Sequence, residues 1–205
     1  RKAYHIVEAA DLERLTESVH HQGVCVLAYE HTRMKFNELQ QALREQRPAP
    51  WLIYLDGVEN PHNFGAIIRS AAHFGASYVM GDGQRLPTLS PSACRIAEGG
   101  AEHVAVVALD DPLPQLRELQ RQGYTLVAAD VRGGVPVYDH AFERKTVLIV
   151  GAEEVGVSSR LRNLANVVVT IPGSTDVESL NVSVAFGVLA SELFRQSGRS
   201  PDRGK

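Results

Sequence analysis

Three stretches of this sequence combine amide, guanidinium and carboxylate side chains that can bind and activate a hydroxyl group. The first is residues 55–69, LDGVENPHNFGAIIR, where an apolar run ends at Asp56 and Asn63 is predicted to cap a helix. Arg69, in the second turn, can hold a phosphate through two parallel hydrogen bonds or polarise a hydroxyl. Gly65 permits a close approach at the first turn. The alternative, a surface arginine on an amphipathic helix, is disfavoured by the apolar residues around it.

The second stretch is residues 147–158, VLIVGAEEVGVS, in which an apolar run leads directly into Gly151 and Glu153. It lacks the second glycine of a dinucleotide-binding fingerprint, and it has no P-loop lysine. The loop is therefore predicted to present its backbone and Glu153 rather than to cradle a pyrophosphate.

The third stretch is residues 171–193, IPGSTDVESLNVSVAFGVLASEL, a polar loop that turns into an apolar helix pattern. Ser179 or Asn181 can cap that helix, because their side-chain oxygens accept bonds from its free N–H groups. Those donors and the helix dipole favour electron-rich ligands. One buried face is predicted from the helical spacing of Leu180, Val184, Val188, Leu189 and Leu193.

Alternating strands and helices must position these stretches. Strands separated by helices predict an α/β fold with a parallel sheet, whose ligands bind at the carboxyl ends of the strands. Strands are predicted at 51–55, 78–80, 104–108, 125–129, 147–150 and 167–171, and helices at 63–74, 92–97, 113–122, 159–164 and 180–193.

The first 33 residues are predicted to form strands at 4–7 and 23–29 and a helix at 11–18, too few elements to bury a core. Since the chain begins at Arg1, we expect them to be the end of a truncated α/β accessory domain. Residues 34–50 are predicted to be a linker and a helix (36–47), 51–196 the main domain, and 197–205 a basic flexible tail.

Composition limits the function classes. The chain has 205 residues, of which 44% are hydrophobic and 22% charged, as in ordinary globular proteins. No apolar run has the length of a membrane span. Two cysteines without a CxxC spacing, and histidines without a ligand spacing, argue against a metal site and fit a cytoplasmic protein. The formal charge of −3 gives no electrostatic indication of nucleic acid.

Together the three stretches resemble the motifs of the SpoU/TrmH family, S-adenosylmethionine-dependent RNA 2′-O-ribose methyltransferases of the SPOUT superfamily. The matching patterns are N-x-G-x-x-x-R at 63–69, G-x-E-x-x-G at 151–156 and IP…SLNVSVA at 171–185. Residues 97–104, AEGGAEHV, are similar to the family's small-residue segment between the first two motifs. The resemblance covers about residues 51–196, and in detail the chain is most similar to the YfiF-type members.

The resemblance implies a parallel sheet with a C-terminal trefoil knot, a homodimer, and tRNA or rRNA as substrate. It identifies residues 1–33 as the end of an accessory RNA-binding domain and 51–196 as the methyltransferase domain. The S-adenosylmethionine site is expected at Ala128, Ala129, Gly151, Ile171 and Leu180. The catalytic residues are expected to be Asn63, Arg69, Glu153, Ser179 and Asn181.

A ribose 2′-OH is a poor nucleophile near neutral pH and needs a proton acceptor or an environment that favours its alkoxide. We expect Arg69 to orient phosphate and hydroxyl, with Glu153 fixing Arg69; direct proton abstraction by Arg69 remains the alternative, although a guanidinium is a poor base. Two other functions stay open. One is a non-catalytic RNA-binding or assembly protein that keeps the knotted fold. The other, a dinucleotide-dependent enzyme, is disfavoured by the missing glycine fingerprint.

Overall fold

The computed structural model describes residues 4–27, 29, 31–45, 51–131, 133–174 and 176–198. The chain divides into two units, Arg1–His31 and Thr32–Lys205. In the first unit the described residues form a single helix, α1 (Ala9–Thr16), which has no buried residue. The helix prediction is thus confirmed with shifted ends. The strands predicted at 4–7 and 23–29 are wrong for the residues described there; Ala28 lies outside them.

The described residues of the first unit leave most of their large apolar side chains exposed. A strand needs a neighbouring strand to take up its backbone hydrogen bonds, and the described residues of this unit contain none. The apolar GVCVL run therefore has a high strand propensity but, among the described residues of this unit, no neighbouring strand to pair with. The exposed large apolar residues here are Tyr4, Ile6, Val7, Leu15, Val19, Val24, Val26, Leu27 and Tyr29.

The second unit alternates strands and helices along one parallel sheet, which confirms the predicted α/β class. Its described strands lie in the order β1-β4-β3-β2-β7-β5-β8-β6, and every pair is parallel. The strands are β1 (Met34–Lys35), β2 (Leu52–Asp56), β3 (Tyr78–Asp82), β4 (Ala105–Leu109), β5 (Thr125–Ala129), β6 (Val135–Pro136), β7 (Thr146–Gly151) and β8 (Val167–Thr170). The helices are α2 (Phe36–Glu45), α3 (Pro61–His73), α4 (Pro91–Ala97), α5 (Pro112–Arg121), α6 (Ser159–Leu164) and α7 (Val182–Gln196), with 3₁₀ turns at Gly100–Glu102 and Val137–Asp139.

The predicted and observed elements differ mainly at the sheet edges. Strands β1 and β6 were not predicted, because two residues are too few to show a period of two. They form the two ends of the sheet. Residues 46–50 of the predicted linker, Thr175 in the third stretch and 199–205 of the predicted tail lie outside the described residues.

The core is split into two layers by the sheet. In β7 the side chains alternate: Leu148 and Val150 join one layer, whereas Val147 and Ile149 join the other. A strand buried on both faces is apolar throughout, which explains why the sequence shows continuous apolar runs. Helices α3, α4 and α7 contribute to the first layer, and α2, α5 and α6 to the second.

Helix α7 buries only part of the predicted face: Leu189 and Leu193 are buried as predicted. It begins at Val182, so Leu180 precedes it and is 45% exposed, and Val184 is 52% exposed. The prediction is therefore wrong for these two residues. The helix is apolar on two sides, and spacing alone cannot decide which side packs on the sheet. The buried apolar residues are Val182, Phe186, Leu189, Ala190 and Leu193. Within the described ranges no helix is long and apolar enough to cross a membrane.

Candidate active site

The three polar stretches leave strands β2, β7 and β8 at one edge of the sheet; β2 and β7 are neighbours, and β5 separates β7 from β8. Strand β7 lies between β2 and β5, and β5 lies beside β8. Residues 56–63 follow β2, 151–158 follow β7 and 171–181 follow β8. Because the carboxyl ends of parallel strands lie at the same edge, the segments converge there.

The first segment begins helix α3 with a cap that the sequence interpretation placed wrongly. The N-cap is Asn60, whose Oδ1 accepts hydrogen bonds from the backbone N–H groups of His62 at 2.8 Å and Asn63 at 3.4 Å. Pro61 occupies the first helical position, where its fixed φ suits the helix and its missing N–H costs nothing. Because Asn60 caps the helix, the side chain of Asn63 is available for the site.

Asn63, Glu153 and Asn181 form a hydrogen-bonded cluster, one from each segment. Asn63 Nδ2 donates to Glu153 Oε1 at 2.8 Å, and Asn181 Nδ2 donates to the same oxygen. Asn181 Nδ2 also lies 3.1 Å from Asn63 Oδ1, and the N–H of Val182 lies 3.4 Å from Glu153 Oε1. The structure thus brings together three of the five expected catalytic residues.

Asn181 joins this cluster to the start of α7. Its Oδ1 accepts from the N–H of Ser183 at 2.9 Å, from Ser183 Oγ at 2.6 Å and from the N–H of Val184 at 3.4 Å. Of the two predicted caps, Asn181 is therefore the one used. Ser179 is exposed, and among the bonds of the described residues it has none with the cluster.

The Glu153 loop closes tightly on itself. The N–H of Gly156 donates to Ala152 O at 2.7 Å, and Asp56 Oδ2 accepts from the N–H of Ser158 at 2.7 Å. A Cβ on Gly151 would lie 2.0 Å from the carbonyl carbon of Gly156. The space beside the Gly151 Cα is therefore filled by its own loop, so a larger residue there would displace the loop that carries Glu153.

Arg69 does not join the cluster through Glu153. Its Nη2 lies 2.8 Å from Glu98 Oε2, and the side chains are 56% and 61% exposed. The expectation that Glu153 fixes Arg69 is therefore wrong for this structure, because the carboxylate oxygen of Glu153 is bonded to amide groups instead. Glu98 was missed, although it is the first of two acids in the segment AEGGAEHV and directly follows α4.

Ionisable groups lie near the same edge. Arg85 Nε pairs with Glu59 Oε1 at 2.7 Å, just before α3. Burial, together with the carboxylates of Asp56 and Asp82, raises the pKa of the Tyr54 phenol far above its usual range. The Tyr54 phenol therefore stays protonated near neutral pH, so it cannot accept a proton from a substrate hydroxyl.

Of the five residues expected to contact S-adenosylmethionine, four lie at or beside the ends of strands β5, β7 and β8, and Leu180 lies two residues before α7. Ala129 ends β5, Gly151 ends β7, and Ile171 follows β8. The side chain of Ala128 is completely buried, so it can offer a ligand only its backbone. Leu180 is exposed and Ile171 is half-buried, so both can wall an adenine while backbone groups bond its edge. The arrangement fits an adenosine group. Among the described residues no cluster of His, Cys, Asp and Glu could hold a metal ion.

Comparison with known proteins gives one consistent family. Residues 50–191 match the SpoU rRNA Methylase family. The chain is 36% identical over 197 residues to the uncharacterized tRNA/rRNA methyltransferase YfiF of Escherichia coli O157:H7, covering 96% of this chain and 56% of that protein. It is 33% identical over 196 residues to the 23S rRNA (guanosine-2′-O-)-methyltransferase RlmB of Yersinia pestis, covering 94% and 79%. The SpoU methyltransferase AviRb of Streptomyces viridochromogenes, in complex with AdoMet, superposes with a TM-score of 0.66 at 29% identity, covering 72% of this chain and 58% of that one.

Proposed function

Because the chain belongs to the SpoU rRNA methylase family, we propose that it transfers a methyl group from S-adenosylmethionine to a ribose 2′-OH of tRNA or rRNA. The observation that carries this proposal is the bonded cluster of Asn63, Glu153 and Asn181 at the carboxyl edge of the sheet. The RlmB relative, named as a guanosine-2′-O-methyltransferase, supports the ribose hydroxyl as acceptor.

The cofactor is S-adenosylmethionine, as family membership and the AdoMet-bound AviRb structure support. When bound, it supplies a methyl group on a positively charged sulfur. The backbone of Ala128, Ala129 and Gly151 and the side chains of Ile171 and Leu180 are proposed to hold its adenosine part.

The chain's own residues are proposed to position the acceptor. Asn63 and Asn181 are held by the Glu153 carboxylate, so their amide groups keep fixed directions at the mouth of the site. Arg69 binds the phosphate next to the target ribose, since its planar fork matches two phosphate oxygens. Its positive charge also favours the alkoxide form of the hydroxyl. Ser179, exposed in the segment before α7, is proposed to contact the same nucleotide.

We propose that the active form is a homodimer. The exposed side of α7 and Tyr138 enclose a groove of about 380 Å³, lined by Tyr138, Val184, Gly187, Val188, Ser191 and Glu192. Apolar residues on an otherwise polar surface are typical of a protein interface. A second copy would cover this face, and Arg69, which in one chain lies outside the cluster, could then serve a site completed by both copies.

We also propose a knot and an accessory domain, again on the basis of membership of the family. The C-terminal part of the domain is proposed to form a trefoil knot, in which β7, inserted between β2 and β5, would take part. Because knots are rare in proteins, strand order alone would not suggest one, and membership of the family is the main support for this proposal. Residues 1–33 are proposed to be the end of an accessory RNA-binding domain, since most large apolar side chains of the described residues there are exposed, as on a surface that binds a partner.

Mapping 2′-O-methylation across total RNA tests the proposed function. Cells without the gene should lose methylation at one or a few tRNA or rRNA positions. Wild-type protein should restore those positions, whereas Arg69→Ala protein should not. Identical methylation maps with and without the gene would contradict the proposal. If the methylation maps were identical but the protein still crosslinked to RNA, the results would favour a non-catalytic RNA-binding function instead.

A further inference from the structure

The turn after α4 packs directly against the backbone of Arg69. A Cβ on Gly100 would lie 3.0 Å from the Arg69 Cα and 3.1 Å from the carbonyl oxygen of Ile68. One turn earlier on α3, a Cβ on Gly65 would lie 2.6 Å from the carbonyl oxygen of Ala93. Positions 65 and 69 share a helix face, so α4 and its final turn lie along the face that carries Arg69.

Glu98 occupies a backbone conformation that suits glycine. It is the C-cap of α4 with φ 44° and ψ 52°, in the left-handed region. Only glycine adopts this region freely, and glycine is the usual residue at such helix ends. Gly99 and Gly100 follow immediately, so a glycine at 98 would complete the turn at lower conformational cost. A carboxylate kept at a strained position points to a role for the side chain.

The side chain of Glu98 is bonded to Arg69. The 2.8 Å contact joins Arg69 Nη2 to Glu98 Oε2, and more than half of each side chain is exposed. An exposed pair of this kind is weak, because water screens it. A phosphate can therefore displace the carboxylate, and it cannot bind well while the carboxylate stays, since both are anions.

We propose that Glu98 is a positioning residue which holds the Arg69 guanidinium in the free protein and yields it to an RNA phosphate. The inference rests on the proposed function, in which Arg69 binds that phosphate. Glu98 thereby weakens RNA binding and keeps Arg69 from engaging any passing polyanion. To displace Glu98, an RNA must make further contacts with the protein besides the one phosphate. The exchange therefore adds selectivity for substrates that fill the whole site.

The test removes the carboxylate in two ways. Glu98→Gln keeps the size of the side chain and the strained φ, and Glu98→Gly removes the strain as well. The matched control is Glu118→Gln, because Glu118 also pairs with an exposed arginine, Arg121, one turn away on the same helix. Helix α5, which carries Glu118, packs on the other layer of the core from α3.

The measured quantities are kcat and KM for total RNA from cells lacking the gene, and retention of the same RNA on filters. Both Glu98 variants should lower KM and tighten binding by about two- to fivefold, the range of one exposed ion pair. Their kcat should be close to that of wild type, and Glu118→Gln should change neither quantity. In an Arg69→Ala background Glu98→Gln should have no effect on binding. The melting temperature should rise for Glu98→Gly but not for Glu98→Gln, which separates the effect of the charge on RNA binding from an effect on stability.

Unchanged KM and binding in both Glu98 variants, or an equal change in Glu118→Gln, would overturn the role of Glu98. A fall in kcat without a fall in KM would do so too, because it would make Glu98 a support of the catalytic geometry rather than a competitor of RNA. Absence of transfer by the wild-type protein would instead refute the proposed function, and the filter measurement would still report on Glu98.

Discussion

Glu153 uses one carboxylate oxygen, Oε1, to join side chains that are far apart in the sequence. It accepts bonds from the amide groups of Asn63 and Asn181 and is approached by the N–H at the start of α7. Hydrogen bonds to a charged acceptor contribute about 1.5–3 kcal/mol each when shielded, and less at an exposed position. The cluster therefore serves to fix directions more than to stabilise the fold.

Arg69→Ala should lower single-turnover methyl transfer by on the order of 10²–10⁴-fold, because it removes an electrostatic contact made to the reacting nucleotide. Arg69→Lys should recover little, since an ammonium group cannot bond two phosphate oxygens in one plane. Cofactor binding and melting should stay close to wild type, as the Arg69 side chain is more than half exposed.

Arg121→Ala is the control for Arg69, because Arg121 is an exposed arginine that also pairs with a glutamate. The Arg121→Ala protein should transfer methyl groups at the wild-type rate. Equal activity of Arg69→Ala and Arg121→Ala would return Arg69 to the role of an ordinary surface residue.

The residues of the cluster could be predicted from the sequence, but their pairing could not. Each of the three follows an apolar strand, and this placement predicts a shared edge. The sequence interpretation places the cap of α3 at Asn63, whereas the backbone geometry selects Asn60. The pairing of Arg69 with Glu98 depends on how α3 and α4 pack, which no local pattern reports.

At the scale of elements, the loop between β7 and α6 is held by close backbone contact. Gly151→Ala should destabilise the protein by at least about 2 kcal/mol, because its Cβ would lie 2.0 Å from the carbonyl carbon of Gly156 and the backbone must shift. Transfer should fall with stability, since the loop carries Glu153. Denaturant unfolding monitored by circular dichroism measures the change.

Gly173→Ala is the matched control for Gly151→Ala, because a Cβ at Gly173 meets no atom within 4 Å. Its stability should stay within about 0.5 kcal/mol of wild type. If Gly151→Ala were as stable as Gly173→Ala, the close contact between Gly151 and Gly156 would not exist in solution.

The end of α7 is tied to the preceding segment by a buried acid. Glu192 accepts from Arg195 Nε at 2.8 Å and Nη2 at 2.6 Å, and from Gln196 Nε2 at 2.7 Å. Gln196 also bonds the backbone of His140 and Phe142 at 2.8 Å each. The hydrogen bonds from Arg195 and then Gln196 lower the pKa of the Glu192 carboxyl from 4.5 to about 2.

Because the pKa of Glu192 is lower in the folded state, its stabilisation is present above about pH 4.5 and is lost as the pH falls towards 2. Glu192→Gln should destabilise the protein by about 2 kcal/mol at neutral pH, and the difference from wild type should shrink over that acid range. Urea unfolding at a series of pH values measures it.

His140 changes stability in a separate pH range. Burial lowers the pKa of its imidazole, so stability falls as the pH drops below the usual histidine value near 6.5. This effect is common to wild type and Glu192→Gln, and it cancels in their difference. A difference that stayed constant down to pH 2 would contradict the assignment to Glu192.

The main helices and strands could be predicted because each carries a clear period and a cap or breaker. Three features could not. Strands β1 and β6 are too short for a period, α7 is apolar on two sides, and the first unit has strand-like residues without a partner strand among those described. In each case packing, rather than local preference, decides the outcome.

At the scale of the whole molecule, the parallel class follows from alternating strands and helices, but the strand order does not. Nothing in the periodicity of β7 indicates that it lies between β2 and β5. The order is set by which apolar faces fit together over long sequence separations. The candidate site depends on that order, because it places the three polar segments side by side.

The proposed homodimer predicts that Val184→Lys dissociates the protein, because a long charged side chain would replace an apolar one in the groove on α7. The monomer should remain folded, since Val184 is 52% exposed. Sedimentation equilibrium measures the oligomeric state, and Glu118→Gln, which changes the net charge equally, should stay dimeric. A monomeric wild-type protein would refute the dimer.

The most direct measurement of the proposed activity uses purified full-length protein, S-adenosylmethionine labelled in its methyl group, and RNA from cells lacking the gene. After transfer the RNA is hydrolysed with alkali, which requires a free 2′-OH next to each cleaved phosphate. A methyl group on the ribose blocks cleavage, so the label should remain in alkali-resistant dinucleotides, and it should be absent with Arg69→Ala. Label in mononucleotides, as base methylation gives, or no transfer at all, would contradict ribose 2′-O-methylation by this protein.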